Sequence, residues 1–285
     1  MGKEITVFGG DLRQIRLAQL LMEDGHCVMT WGLENGNILP CVSLDCALQA
    51  EILILPLPVC RKGELNLPLT DSKLSAEELW HRLNSEQILL GGVTEELAPY
   101  LREKFGLQIY DYYNREEVQI ANAIPTAEGA IMRMMEETEY TVQGSRCLVI
   151  GYGRIGKALA HRLQTFGADV TVTARNPASY AWIRGCGYRA IMASELTEKL
   201  GEFDVIFNTA PAPVLEEAQL DAVQSDCLLM ELASLPGGID LNAAKKRGLH
   251  VVIERGLPGK YAPLSAAQSI RDSIYRILEE QGEWI

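Results

Sequence analysis

Residues 146–176 read RCLVIGYGRIGKALAHRLQTFGADVTVTARN, and no other stretch limits the possible folds as tightly. An apolar run leads directly into G-x-G-x-x-G at Gly151, Gly153 and Gly156; apolar residues then recur at spacings of three and four, and a second apolar run follows. That succession predicts strand, tight turn, helix and parallel strand. The first glycine permits the turn, the second lets a pyrophosphate approach the backbone, and the third allows helix and strand to touch. Phosphate oxygens then rest on the free N–H groups of the helix N-terminus. Gly151, Tyr152, Gly153, Arg154, Ile155 and Gly156 are therefore the candidate cradle of a dinucleotide, the bland alternative being an ordinary glycine turn.

The second strand of this unit ends in Arg175, where an acid about 20 residues beyond the glycines would bind the adenosine ribose hydroxyls. A carboxylate there repels a 2′-phosphate, whereas a guanidinium fork suits one. With Thr173, Ala174 and Asn176 as neutral neighbours, Arg175 points to NADP rather than NAD. An arginine on a solvated strand end is the competing explanation.

The remaining chain repeats the architecture without repeating the motif. Residues 4–32 read as strand, glycine turn, helix and strand, and further strands are expected within 51–59, 85–93 and 105–113, with a helix over 94–105. A long connecting helix is expected to begin after Pro125 with Thr126 as its N-cap and Glu128 in its first turn. Three more strands are expected within 204–210, 226–234 and 250–256, and a last helix over 263–284. The predicted fold class is α/β: two doubly wound, parallel-sheet, Rossmann-like domains joined by a long helix, with a C-terminal helix returning across the cleft. The expected divisions are 1–118 for a flavodoxin- or Rossmann-like, substrate-side domain, 119–143 for the connecting helix, 144–263 for the cofactor domain, and 264–285 for the last helix.

Strand-end loops supply the other candidates, because open α/β sheets bind ligands at the carboxyl edge. In NTAPAP, Asn208, Thr209, Ala210 and Pro211 would pass beside the nicotinamide, and Ala233 and Ser234 of ELASLPGGID follow the next strand. In RGLPGKYAP, Lys260 and Tyr261 are candidates for recognising substrate charge or moving a proton. The first-half turn FGGDLRQ lacks a third glycine, which argues against a second dinucleotide site; Asp11, Arg13 and Gln14 there could instead hold a substrate carboxylate, or simply cap a helix and line its surface. None of the four histidines falls in a strand-end loop of the second half, so the His–carboxylate pair of simple hydroxy-acid dehydrogenation is missing.

A net charge of −12, with 11 Lys and Arg against 22 Asp and Glu in residues 1–140, argues against nucleic acid or anionic membrane as partners. Seven scattered cysteines without a Cys-x-x-Cys pair indicate neither disulfides nor a metal site and read as reduced core residues of a cytoplasmic protein. No leader-like start and no apolar run of membrane-spanning length is seen.

FGGDLRQ, ANAIPTAEGAI, GYGRIGKALA, TARNP, ELASLPGGID and GLPGKYAP, in this order, resemble the dipicolinate synthase A-subunit family of spore-forming bacteria. The last three blocks are also similar to alanine dehydrogenase and its relatives; the first two are the discriminating ones. The resemblance implies an NADP-dependent oxidoreductase that works with a smaller flavoprotein-like B subunit in the mother cell during sporulation, forming pyridine-2,6-dicarboxylate from a dihydrodipicolinate-type precursor. It places Thr126, Glu128, Lys260 and Tyr261, with Asp11, Arg13 and Gln14, on the side of a small dicarboxylate substrate. A homo-oligomer is compatible with it. The alternatives are an amino- or imino-acid dehydrogenase resembling alanine dehydrogenase, and an NADP-binding partner subunit without chemistry of its own.

Overall fold

The computed structural model describes residues 3–34, 40–93 and 95–283. The chain forms two compact units, one of residues 1–122 with 262–285 and one of residues 123–261. In chain order the first comprises β1 (Glu4–Phe8), α1 (Leu12–Glu23), β2 (Cys27–Trp31), α2 (Leu44–Ala47), β3 (Ile52–Ile54), β4 (Cys60–Arg61), β5 (Glu64–Leu65), α3 (Ala76–Arg82), β6 (Ile88–Gly91), α4 (Leu97–Phe105) and β7 (Ile109–Asp111). Helix α5 (Glu116–Glu137) carries the chain into the second unit. There follow β8 (Arg146–Ile150), α6 (Arg154–Thr165), β9 (Asp169–Ala174), α7 (Pro177–Gly185), β10 (Arg189–Met192), α8 (Leu196–Lys199), β11 (Val205–Asn208), α9 (Glu217–Leu220), β12 (Leu228–Glu231), α10 (Leu241–Lys246), β13 (His250–Ile253) and α11 (Leu257–Tyr261). Helix α12 (Pro263–Glu280) then rejoins the first unit.

Both main sheets are parallel. The first has the order β2-β1-β3-β6-β7, which is flavodoxin-like, and the second the order β10-β9-β8-β11-β12-β13, the Rossmann arrangement. The strand order reverses between β1 and β3 in one sheet and between β8 and β11 in the other, and these are the points where such sheets take ligands. Parallel strands covered on both faces must be apolar throughout, and Ile5, Val7, Phe8, Ile52, Leu53 and Ile54 in the first sheet are completely buried. In the first unit, α12 lays Ala267, Ile270, Ile274 and Ile277 into the cluster formed by Ile15, Leu17, Ala18 and Leu21 of α1. Burying each of these larger aliphatic side chains is worth about 1.5–3 kcal/mol, so α12 is integral to that core.

Two sequence expectations need correction. Helix α5 begins at Glu116, not after Thr126, and runs through Pro125. Glu116 and Glu117 sit in its first turn, where the helix dipole favours acids, and Gln119, Ala121 and Ala123 are good helix formers, so losing one backbone bond at Pro125 does not end it. Thr126 is thus a buried interior residue of the helix rather than its cap. Second, Cys147 and Cys227 are buried and Cys60 is half-buried, but Cys27, Cys41, Cys46 and Cys186 are exposed, and all seven are free. Those four stand at a strand start, in a loop, on the short α2 and just past α7, where the solvated side of an element needs no apolar residue. Strand β10, the β4–β5 hairpin and helix α3 are additions to the expected elements, each too short to show a period in the sequence. The helix expected over 94–105 is observed as α4, its first residue Thr94 lying outside the described residues, as does Trp284 at the end of the last helix. Among the described residues no helix is long and apolar enough to cross a membrane.

Candidate functional site

At the end of β8 the chain turns at Gly151, whose φ of +97° suits a residue without a Cβ. The Gly151 N–H donates to Thr173 Oγ1 at 3.0 Å, so Thr173, expected as a neighbour of the cofactor, fixes the turn from within. A Cβ on Gly156 would lie 2.1 Å from the Gly151 carbonyl oxygen, so this glycine is what lets α6 cross the strand end. Gly153 differs: its φ is ordinary, and a Cβ there would meet nothing within 4 Å. The space it leaves open lies at the N-terminus of α6, which no side chain caps. Helix N-termini leave several N–H groups without intrahelical partners, and here they face a glycine-lined opening that fits a pyrophosphate. Arg154 at the start of the helix is exposed, Ile155 is half-buried, and Tyr152 packs edge-on to Tyr188 with ring centroids 6.4 Å apart.

The corresponding turn of the first unit is closed. Gly9 N–H donates to Trp31 O and Gly10 N–H to Asn66 O, both at 2.8 Å, and Asp11 caps α1 by accepting from Arg13 N–H at 3.0 Å. Arg13 is 7% exposed, and its Nε and Nη2 donate to the Asp11 carboxylate at 2.9 and 2.7 Å. Burial works against the guanidinium charge, but the bonds and charge of Asp11 outweigh it and hold the Arg13 pKa above its ordinary value. Gln14 is fully buried, donating through Nε2 to Tyr112 Oη at 3.1 Å, while its Oε1 has no partner among the described residues. The structure thus brings Asp11, Arg13 and Gln14 together at the carboxyl edge of the first sheet.

Arg175 is exposed immediately after β9, and among the described residues no hydrogen bond or ion pair holds it. Ala174 before it is buried, and Asn176 after it is the N-cap of α7, its Oδ1 accepting from Ser179 N–H at 2.8 Å. Across the switch point, Thr209 Oγ1 donates to Ile150 O at 2.8 Å, tying the β11 loop to the end of β8. Asn208 is fully buried, and its Nδ2 donates to Glu231 Oε1 at 2.8 Å and to Ala210 O at 3.0 Å. Ala210 is half-buried, Pro211 and Ser234 are exposed, and Ala233 is buried with its N–H on Glu231. Glu231, 1% exposed, was not singled out in the sequence; an acid closing the otherwise apolar run LLME was the available signal.

The remaining candidates lie on α5 and α11, which pack together at Gly129. A Cβ on Gly129 would stand 3.0 Å from Tyr261 and 3.2 Å from Leu257, so this glycine in α5 admits α11. Thr126 is buried on the same helix, and the exposed Glu128 pairs with Arg162 of α6 at 3.1 Å. Lys260 Nζ lies 4.8 Å from the centre of the Tyr261 ring and 3.4 Å from Glu254 Oε1. Its hydrogen bond with Tyr261, reinforced by Glu254, raises the Lys260 pKa above the ordinary lysine value. The charged form of Lys260 is thus favoured, which suits it to holding an anion. Among the described residues no three His, Cys, Asp or Glu side chains converge as a metal site requires.

Comparison with known proteins agrees with this geometry. Residues 4–113 match the N-terminal domain of the dipicolinate synthase A-subunit, and residues 114–233 the NAD-binding domain of D-isomer specific 2-hydroxyacid dehydrogenases. The A-subunit of dipicolinate synthase from Bacillus subtilis strain 168 is 28% identical, the match covering 98% of this chain and 97% of that one. The crystal structure of its counterpart from Bacillus halodurans, also a dipicolinate synthase A-subunit, superposes with a TM-score of 0.89 at 27% identity over 98% of both chains. That of the Bacillus subtilis protein gives 0.85 at 28% identity over 98% and 97%. From one end to the other, then, the chain is similar to dipicolinate synthase A-subunits, and its second unit carries a nicotinamide-dinucleotide-binding domain.

Proposed function

We propose that the chain is the A-subunit of an NADP-dependent oxidoreductase that converts a dihydrodipicolinate-type precursor to pyridine-2,6-dicarboxylate. The observation that carries the reading is the uncapped, glycine-lined N-terminus of α6 with the unpaired Arg175 one strand away. A bound nicotinamide supplies the hydride acceptor. The chain's own residues do the rest: Gly151 to Gly156 seat the pyrophosphate, Arg175 neutralises the 2′-phosphate, and the loops around Asn208 to Pro211 and Ala233 to Ser234 border the nicotinamide half. Loss of a hydride and a proton from a dihydropyridine leaves an aromatic ring, so the step needs no His–carboxylate base.

Carboxylates require cations. In the second unit the candidate is Lys260, held positive beside Tyr261. In the first unit it is Arg13, which shares its guanidinium with Asp11 and has the Gln14 amide beside it. Tyr261, Thr126 and Glu128 are the candidates for holding or moving the proton. The likeness to dipicolinate synthases supports, as partner, a smaller flavoprotein-like B subunit, with action in the mother-cell cytoplasm of a sporulating bacterium.

The test is the ultraviolet absorbance of pyridine-2,6-dicarboxylate in a mixture of the chain, NADP and freshly generated precursor, with the B subunit present or omitted, once oxidation by air has been subtracted. Product and NADPH in equal amounts are expected. Product without NADPH assigns the chemistry elsewhere and leaves this chain a cofactor-binding partner. No product with both proteins present, despite cofactor binding, overturns the substrate assignment.

A further inference from the structure

Two loops follow β11 and β12, and a single side chain binds them together. Glu231 accepts four hydrogen bonds: Oε1 from Asn208 Nδ2 at 2.8 Å and Ala233 N–H at 3.0 Å, Oε2 from Gly238 N–H at 2.8 Å and Ile239 N–H at 3.0 Å. Burying a carboxylate is costly unless its lone pairs are filled, and here each oxygen has two donors. The arrangement demands an acid, because either orientation of a glutamine amide would turn an NH2 group toward N–H donors. Two glycines make the wrapping possible. A Cβ on Gly238 would stand 2.5 Å from Asn208 Nδ2 and 2.8 Å from Ala212 O. At Gly237, with φ +87°, it would stand 3.0 Å from Glu231 Oε2. Asn208 completes the link by accepting from Ala210 N–H at 3.2 Å, and Val214 and Leu215 N–H donate to Gly238 O at 2.9 Å.

The placement gives the device a meaning. A dinucleotide in a sheet of this order lies across the switch point, with its adenosine over β9, where Arg175 stands, and its nicotinamide over β11 and β12. We propose that Glu231 is a positioning residue for the nicotinamide half of the cofactor site, setting through its four bonds the backbone of both loops beneath that half. This rests on the dinucleotide reading above. It assigns a specific job to a buried acid that touches no ligand and takes no part in hydride transfer.

The experiment uses the full chain, wild type, Glu231→Gln and Asn208→Ala. NADPH and NADH are titrated by the fluorescence of the nicotinamide, and probes lacking it, adenosine 2′,5′-bisphosphate and ADP, by calorimetry. In Glu231→Gln the truncated probes should bind within about twofold of wild type. The intact cofactor should bind about tenfold more weakly, the scale of a lost bond to a charged group, with the emission change of its bound ring diminished. Asn208→Ala, which leaves the carboxylate three donors, should behave likewise to a smaller degree and carries the test if Glu231→Gln does not fold. Equal weakening of truncated and intact ligands, or weakening of neither, overturns the proposal and leaves the dinucleotide reading standing. A wild-type chain that binds none of them overturns both.

Discussion

Two candidate arginines, Arg13 in the first turn of α1 and Arg175 just past β9, have different surroundings. Arg13 already has its counterion in Asp11 two residues away, whereas Arg175 has none among the described residues. Replacing Arg175 with alanine should weaken NADP binding about 10- to 100-fold, the value of a charge-assisted phosphate contact, and leave NAD affinity nearly unchanged. Calorimetric titration of both nucleotides checks this; an unaltered NADP-to-NAD preference would remove the 2′-phosphate from Arg175. Arg175 was legible in the sequence because the glycine motif fixes the register of the strand that ends at it. Glu231 was not, since its donors Asn208, Gly238 and Ile239 lie on other segments that only the folded sheet brings around it.

At the level of the element, the three motif glycines separate into different physical roles, and substitution should separate them too. Gly153→Ala adds a methyl group to open space at an ordinary backbone angle, so the melting temperature should hold while cofactor affinity falls at least about tenfold as the methyl meets the phosphates. Gly156→Ala drives a Cβ into the Gly151 carbonyl and should lower both melting temperature and affinity. Differential scanning fluorimetry with a cofactor titration distinguishes them, and a marked loss of stability in Gly153→Ala would contradict the open cradle. The strand–turn–helix–strand order was readable at both β1 and β8 because apolar periodicity and glycines coincide there. The start of α5 was not: Pro125 followed by Thr126 mimics a helix entry, and only the packing of the preceding turns shows the helix continuing through it.

Across the whole molecule, acid should act on the first unit through the ion pairs that join α5 to α12. Arg115 donates to both carboxylate oxygens of Glu280, at 3.0 and 2.9 Å, and to Glu117 at 2.8 Å. The Arg115 hydrogen bond is the main cause that holds the Glu117 carboxyl down at about 2, and the same guanidinium lowers Glu280. Because these folded values lie below the ordinary 4.5, the stabilisation is present in full above that pH and is lost as pH falls toward about 2. The effect should be modest and reduced by salt, as the pairs are solvent-exposed. In Glu117→Gln combined with Glu280→Gln, stability should be slightly lower at pH 7 and its decline below pH ~4.5 shallower than in wild type. Urea unfolding at a series of pH values checks this, and parallel curves would rule these pairs out as the acid-sensitive groups.

The first unit is also discontinuous in sequence, since the helix that completes its core lies beyond the entire second unit. On the ribosome, residues 1–122 therefore emerge without the partner that α1 needs, while residues 123–261 are released as a self-sufficient sheet with all its strands. The later-made unit is free to fold first, and the earlier-made one must keep Ile15, Leu17 and Leu21 from wrong associations until α12 has been synthesised. That waiting period is where a chaperone would find its grip on this protein.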